Sequence, residues 1–222
     1  MKNSIQNIAL LIISLLTISC AKEFVRGEGP VETIDRTAEI ISDFNTIRIN
    51  GGADVYVRYG TERKVEIKGY PNLLPLFATD IRHNKLILEF KEGYRIKNDN
   101  IKVYLTLPTI PNIEINGSCH ADFTGNFPAS EALYAEINGS GKISYSVVDI
   151  FNARFSINGS GNIHAQHVHS TQSYVRISGS GEVKLTVSDK LKVDISGSGQ
   201  VYYQGRPIVE QQISGSGKII SL

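Results

Sequence analysis

Apolar and polar residues alternate with period 2 along most of this chain, and one short phrase interrupts the alternation at regular intervals. The phrase is Ile, then Asn or Ser, then Gly, usually followed by Ser-Gly. It reads Ile49-Asn50-Gly51-Gly52, Ile115-Asn116-Gly117-Ser118, Ile137-Asn138-Gly139-Ser140-Gly141, Ile157-Asn158-Gly159-Ser160-Gly161, Ile177-Ser178-Gly179-Ser180-Gly181, Ile195-Ser196-Gly197-Ser198-Gly199 and Ile213-Ser214-Gly215-Ser216-Gly217. Two positions before each Ile stand Ile47, Ile113, Ala135, Phe155, Val175 and Val193, with Gln211 the exception. Six positions after stand Val55, Ala121, Ile143, Ile163, Val183, Val201 and Ile219. Eight after stand Val57, Phe123, Tyr145, Ala165, Leu185 and Tyr203, and only Ser221 fails. Alternation on both sides of a glycine turn predicts two strands per phrase, each with one face inward.

From Gly117 onward the first glycine of each phrase recurs at Gly139, Gly159, Gly179, Gly197 and Gly215, so the step shortens only slightly along the chain. A near-constant period of this size predicts one full coil of chain per phrase, with equivalent strands stacked in parallel ~4.8 Å apart. The turn residues Asn50, Gly51, Asn116, Gly117, Asn138, Gly139, Asn158, Gly159, Ser178, Gly179, Ser196, Gly197, Ser214 and Gly215 then form ladders, because glycine supplies backbone angles denied to other residues and short polar side chains bond exposed backbone. Val148 with Ile150, Val168 and Leu191 are candidates for a third strand per coil. Between Gly51 and Gly117 the phrase fades, and the span 60–112 reads equally as degenerate coils or as a small antiparallel cap. No segment has the period of a long helix.

Residues 1–19 read as a signal segment. Lys2 supplies a small positive region, and the apolar run Ile8–Ile18 is shorter than the ~20 residues that span a bilayer. Ser19-Cys20 closes it as bacterial lipoprotein signals close, which makes Cys20 the lipidated first residue of the mature chain and the membrane a partner through that anchor. Residues 20–42, with Gly27, Gly29 and Pro30, are expected to form an extended tether, and 43–222 the solenoid domain. Cleavage removes Lys2 alone, leaving 23 − 1 = 22 basic against 22 acidic residues, and this balance excludes nucleic acid as a partner. The remaining cysteine, Cys119, stands where later phrases carry Gly and is read as an inert small residue at a turn.

The phrases Ile-Asn-Gly-Ser-Gly and Ile-Ser-Gly-Ser-Gly, preceded by Phe44-x-x-Ile47-x-Ile49-x-Gly51-Gly52-Ala53-Asp54-Val55, resemble the "putative auto-transporter adhesin, head GIN domain" family, common in lipoproteins of the Bacteroidota. The resemblance covers about residues 44–220. It implies an all-β right-handed parallel β-helix or related β-solenoid, with coils of about 18–22 residues, and a cell-envelope location at the outer membrane. It carries no catalytic residues and no cofactor.

Candidate chemistry is sparse. The serines recur phrase after phrase, whereas a nucleophile is needed once, and no Gly-x-Ser-x-Gly elbow occurs. His164, His167 and His169 are the residues nearest to a metal set, but no acidic or cysteine ligand stands beside them in sequence, so no metal site is assigned. Tyr56 and Tyr202 fall on the outward phase and are candidates for a ligand platform on which a sugar or protein stacks, with Tyr94, Tyr104 and Tyr134 as further exposed tyrosines. The last phrase ends at Leu222 with no polar cap, so the edge of the final coil is expected to be covered either by the N-terminal segment folding over it or by a second copy. The expected function is a non-enzymatic envelope lipoprotein presenting its surface for adhesion or ligand binding. The alternatives are a polysaccharide-binding or polysaccharide-processing β-helix and a self-associating structural component.

Overall fold

Inward Ile, Val and Phe at alternate positions cannot all leave water within one hairpin, and stacking coil upon coil is how this chain buries them. A computed structural model describes residues 23–40 and 42–222. The expected signal segment and Cys20 lie outside the described residues. In chain order the strands are β1 (Glu23–Arg26), β2 (Glu32–Asp35), β3 (Thr46–Gly51), β4 (Asp54–Tyr59), β5 (Lys64–Gly69), β6 (Phe77–Arg82), β7 (Lys85–Phe90), β8 (Tyr94–Lys97), β9 (Lys102–Leu107), β10 (Asn112–Gly117), β11 (His120–Thr124), β12 (Ser130–Gly139), β13 (Lys142–Tyr145), β14 (Val148–Gly159), β15 (Asn162–Gly179), β16 (Glu182–Gly197), β17 (Gln200–Gln204), β18 (Ile208–Gly215) and β19 (Lys218–Ser221).

The result is a β-solenoid, as the period predicts. Strands β3, β10, β12, β14, β15, β16 and β18 stack in parallel with the phrases in register, so Ile49, Ile115, Ile137, Ile157, Ile177, Ile195 and Ile213 form one column. The strands after the glycine turn stack likewise, placing Val55, Ala121, Ile143, Ile163, Val183, Val201 and Ile219 in a second column. The first six Ile of the phrase column are buried, whereas Ile213 is 38% exposed. That contrast explains the sequence exceptions. Gln211 and Ser221 belong to the last described coil, which among the described residues has a neighbour on one side only.

From Gly117 onward the first glycine of each phrase is required twice over. Gly159 has φ +134°, a region that favours glycine, and a Cβ placed there would sit 2.3 Å from the carbonyl oxygen of Gly139 in the coil below. Coil stacking therefore passes backbone against backbone at the turn, and the bond from Ser160 N to Gly139 O, at 3.0 Å, follows from that approach.

The span 60–112 combines the two readings: β7 and β9 stack in parallel on β3 and β4 as one degenerate coil, and antiparallel strands cap it. β6 pairs antiparallel with β7, β5 pairs antiparallel with both β9 and β2, and only β7 and β9 run parallel to the first coil, beside β3 and β4. The cap closes one end of the stack by satisfying the strand edges there with hairpins. The other end, β18 and β19, has no strand beyond it among the described residues.

Two further expectations differ from the structure. Residues 23–40, expected as an extended tether, are folded onto the cap: β1 pairs with β8 in a separate two-stranded sheet, β2 pairs with β5, and Thr37–Glu39 is a short 3-10 turn. Val25 and Ile34 pack against the core there, which gives the segment a buried side that its glycines obscured in the sequence. The expected third-strand residues do not share one column either. Val148 faces Val168, each nine positions before its phrase Ile, but Leu191 stands four positions before Ile195 and so faces Ser173, four before Ile177. The coil from Gly179 to Gly197 is shorter than the one from Gly159 to Gly179, and the register shifts between β15 and β16 absorb the difference.

Candidate functional site

The turn ladder forms as the phrase predicts. Asn116 Nδ2 donates to Asn50 Oδ1 at 2.8 Å, Asn138 to Asn116 at 3.0 Å, and Asn158 to Asn138 at 2.7 Å. At the cap end Asn50 Nδ2 donates to Glu89 Oε2 at 2.6 Å, so a carboxylate ends the chain of amides. Ser178, Ser196 and Ser214 continue the same column in register. These residues use their polarity on one another, and the ladder is structural.

Three positions before each phrase Ile lies an outward column of different character. It runs Asn112, Tyr134, Arg154, Tyr174, Lys192 and Glu210 across β10, β12, β14, β15, β16 and β18. Beside it, two positions earlier, runs Ala132, Asn152, Gln172 and Lys190. Between the two columns the inward residues Leu133, Ala153 and Ser173 are buried, so their backbone is the floor of a groove of about 480 Å³ and the two outward columns are its walls. The charged side chains lining it are Arg154, Lys190 and Lys192, and no carboxylate lines it.

The groove is electrostatically prepared. The Arg154 guanidinium lies 5.2 Å and Lys192 Nζ 5.5 Å from the centroid of the Tyr174 ring, so the ring holds a cation on each neighbouring coil. The Tyr174 hydroxyl donates to Asp194 Oδ2 at 2.6 Å, and the Tyr134 hydroxyl donates to the Glu136 carboxylate. The bond to Asp194, with burial, raises the Tyr174 hydroxyl above its ordinary pKa; burial, with the bond to Glu136, pushes the Tyr134 hydroxyl up strongly. Both stay protonated donors at neutral pH, and both occupy carboxylates that lie just outside the groove. Lys190 is paired with Glu210 at 2.7 Å, whereas Arg154 and Lys192 have no carboxylate at ion-pair distance among the described residues. Such a wall can bind carboxylate, sulfate or phosphate groups at its guanidinium and ammonium edges, while the amides of Asn112, Asn152 and Gln172 bond hydroxyls.

The sequence candidates fall elsewhere. Tyr56 and Tyr202 do share one outward column, which reads Tyr104, Tyr56, Asp122, Ser144, His164, Lys184 and Tyr202. Five coil steps separate the two, roughly 24 Å at the strand spacing, so they do not form one platform. Tyr56 stacks on Tyr104 at 5.1 Å, and Tyr202 lies under Lys184 Nζ at 5.5 Å with its hydroxyl bonded to Gln200. Of the other tyrosine candidates Tyr94, Tyr104 and Tyr134, Tyr94 and Tyr134 are half-buried, and Tyr134 alone of these three lines the groove, beside Tyr174.

The histidines separate as well. His164 faces Glu182 at 3.7 Å, and burial with Lys142 and Lys184 lowers its pKa. His169 faces Asp149 at 3.3 Å, and exposed His167 lies within the β15 bulge. Among the described residues no three His, Cys, Asp or Glu side chains converge as a metal site. Arg154, Tyr174 and Lys192 escaped the sequence reading, although one signal was available. Reading the column three positions before each Ile would have shown aromatic and cationic residues alternating.

Residues 43–207 match the family described as "putative auto-transporter adhesin, head GIN domain". Solved structures share the fold. A protein titled a putative adhesin from Bacteroides fragilis superposes with a TM-score of 0.66 at 18% identity, covering 89% of this chain and all of that one. A second putative adhesin, from Parabacteroides merdae, gives 0.56 at 22% identity, covering 90% of this chain and 99% of that one. A protein from Parabacteroides distasonis titled a putative lipid binding protein gives 0.56 at 21% identity, covering 90% and 100%. No curated protein matches the chain. The family match spans well over half of the 222 residues, and the chain belongs to the head GIN domain family of adhesin-like β-solenoids.

Proposed function

We propose that this protein is a non-enzymatic lipoprotein of the bacterial cell envelope, anchored to the outer membrane through Cys20, which binds an extended acidic glycan along the groove walled by Tyr134, Arg154, Tyr174 and Lys192. The observation that carries the reading is the pair of unneutralised cations, Arg154 and Lys192, stacked against Tyr174 in a groove with no acidic lining. An ordered column on a rigid solenoid holds these groups at the strand spacing with little ordering entropy left to lose on binding, which favours a polymer with repeating charge. The family's description as an adhesin supports the envelope location. Polysaccharide processing needs a carboxylate acid and base beside the bound sugar, and the carboxylates beside the groove, Glu136, Asp194 and Glu210, already bond Tyr134, Tyr174 and Lys190.

The test is a glycan array with acidic and neutral polymers, run with the wild type and the R154A/K192A variant. Selective binding of acidic glycans that the variant loses supports the reading. Binding of neutral glycans alone, binding of protein ligands only, or turnover of any polymer would refute it.

The bare last coil supports a second reading, self-association. Among the described residues no strand pairs with the outer edges of β18 and β19, Ile208 is 74% exposed and Ile213 38% exposed, and residues 23–40 lie on the cap at the opposite end. Sedimentation of the lipid-free domain over a wide concentration range tests it. A single monomeric species throughout removes it.

A further inference from the structure

The two-stranded sheet formed by β1 and β8 stands apart from the solenoid and has two unlike faces. Val25 and Ile96 point inward and pack against the core. On the other face, Phe24 stands opposite Arg95 and Arg26 opposite Lys97. Phe24 is 57% exposed, with the Arg95 guanidinium 5.2 Å and Lys97 Nζ 5.0 Å from its ring centroid. None of Arg26, Arg95 and Lys97 has a carboxylate at ion-pair distance among the described residues. The acidic residue of β1, Glu23, has the opposite phase, and Glu28 lies beyond the strand. The face is therefore three free cations around one exposed aromatic ring, on a chain whose mature formal charge is zero.

Its position is as informative as its charge. β1 begins three residues after Cys20, and three residues reach at most about 11 Å. The strand is also clamped to the domain: Gly27 N donates to Lys97 O at 2.9 Å, Asn98 Nδ2 to Gly27 O at 2.9 Å, and Asn72 Nδ2 to Arg26 O at 2.7 Å. A lipid on Cys20 would thus hold this sheet, and no free tether, against the bilayer surface.

We propose that the outward face of β1 and β8 is a membrane-contact surface that takes the phosphate headgroups of anionic phospholipid on Arg26, Arg95 and Lys97, with Phe24 entering the headgroup layer. The inference rests on the lipoprotein reading for its location. The acyl anchor retains the protein at the membrane, and the basic face fixes the angle at which the solenoid leaves it. Two weak attachments acting together are what turn attachment into orientation.

The chain from Ala21 to Leu222 retains every described strand and can be tested without its lipid. It is sedimented with vesicles of pure phosphatidylcholine and with vesicles rich in phosphatidylglycerol, at low and high salt. The expected result is binding to the anionic vesicles only, lost at high salt. Each cation near such a surface contributes about fivefold to partitioning, so R26E/R95E/K97E should lose at least on the order of a hundredfold. The charge-matched variant R58E/R206E/K218E, altered at exposed cations off this face, should lose far less. Circular dichroism confirms that both variants are folded, and the salt dependence of the wild type is an independent reading should the first variant not fold. No binding to anionic vesicles, equal binding to both vesicle types, or equal losses in the two variants overturns the proposal. Fatty-acid labelling of the full chain, and its loss in C20A, reads the anchor separately. Labelling without vesicle binding removes the contact face and leaves the lipoprotein reading standing, and vesicle binding without labelling does the reverse.

Discussion

Replacing Gly159 and Gly51 by alanine separates two reasons for the same column of glycines. Both have positive φ, +134° and +124°, so alanine at either suffers backbone strain of about 1–3 kcal/mol. Only Gly159 lies over another phrase glycine. Its added Cβ would stand 2.3 Å from Gly139 O, at least 0.7 Å inside the 3.0 Å that real Cβ contacts respect, and the obstacle is backbone, which cannot rotate away. At Gly51, in the first coil, nothing lies within 4 Å. Relieving the clash at Gly159 pries two coils apart and stretches the Ser160 N to Gly139 O bond, now 3.0 Å, and the Asn158 to Asn138 amide bond, now 2.7 Å. At about 0.5–1.5 kcal/mol for each bond, G159A should exceed G51A by roughly 1–3 kcal/mol. In a domain of this size that is a gap in Tm of roughly 2–12 °C. Thermal and urea unfolding followed by circular dichroism measure it, with the urea slope checked for departure from two-state behaviour. Equal losses in the two variants would refute the argument that coil stacking, and not only turn geometry, demands the glycine.

Other expectations follow from single groups. The Tyr145 hydroxyl is buried without a hydrogen-bond partner, beside the stacked ring of Phe123, so Y145F should be neutral or stabilising by up to about 1 kcal/mol, and a clear loss in urea midpoint would show a hidden partner. Burial opposes ionisation of Glu114, but bonds from Lys85 at 2.5 Å and Arg48 at 2.6 Å outweigh it and hold its carboxyl below the free value of 4.5. A folded pKa below the unfolded one contributes stability that is present above 4.5 and lost as pH falls through the lowered value. E114Q should therefore flatten the acid limb of stability against pH, and an unchanged acid limb would count against the pairing. Burial pushes the Cys119 thiol up to about 12, so iodoacetamide at pH 8 should label it only after unfolding.

Much of the scaffold was legible because a solenoid repeats its own explanation. The Ile column, the Asn ladder and the parallel register are each stated several times along the chain, so a single misplaced residue could not hide them. The exceptions Gln211 and Ser221 fall in β18 and β19, which among the described residues pair on one side only. The cap was not legible, because antiparallel pairs such as β5 with β9 join segments that share no phrase and whose alternation fits either arrangement. The tether reading failed for a related reason: Gly27 and Pro30 suggested extension, while the partners that order β1 and β2 are β8 and β5, both beyond the first coil in the chain.

The sequence by itself determined the repeat unit, the inward columns, the glycine turns and the family, since each depends on local period and on residue types that recur. Tertiary structure alone decided which outward residues meet. Tyr134, Arg154, Tyr174 and Lys192 are each separated from the next by a whole coil of chain, yet they lie in one column on the surface. Phe24 and Arg95, near the start of the domain and at the far side of its cap in chain order, are cross-strand neighbours. Recognition depends on such neighbours, and their proximity comes from hydrogen-bonded register between coils and strands, which no single stretch of sequence contains.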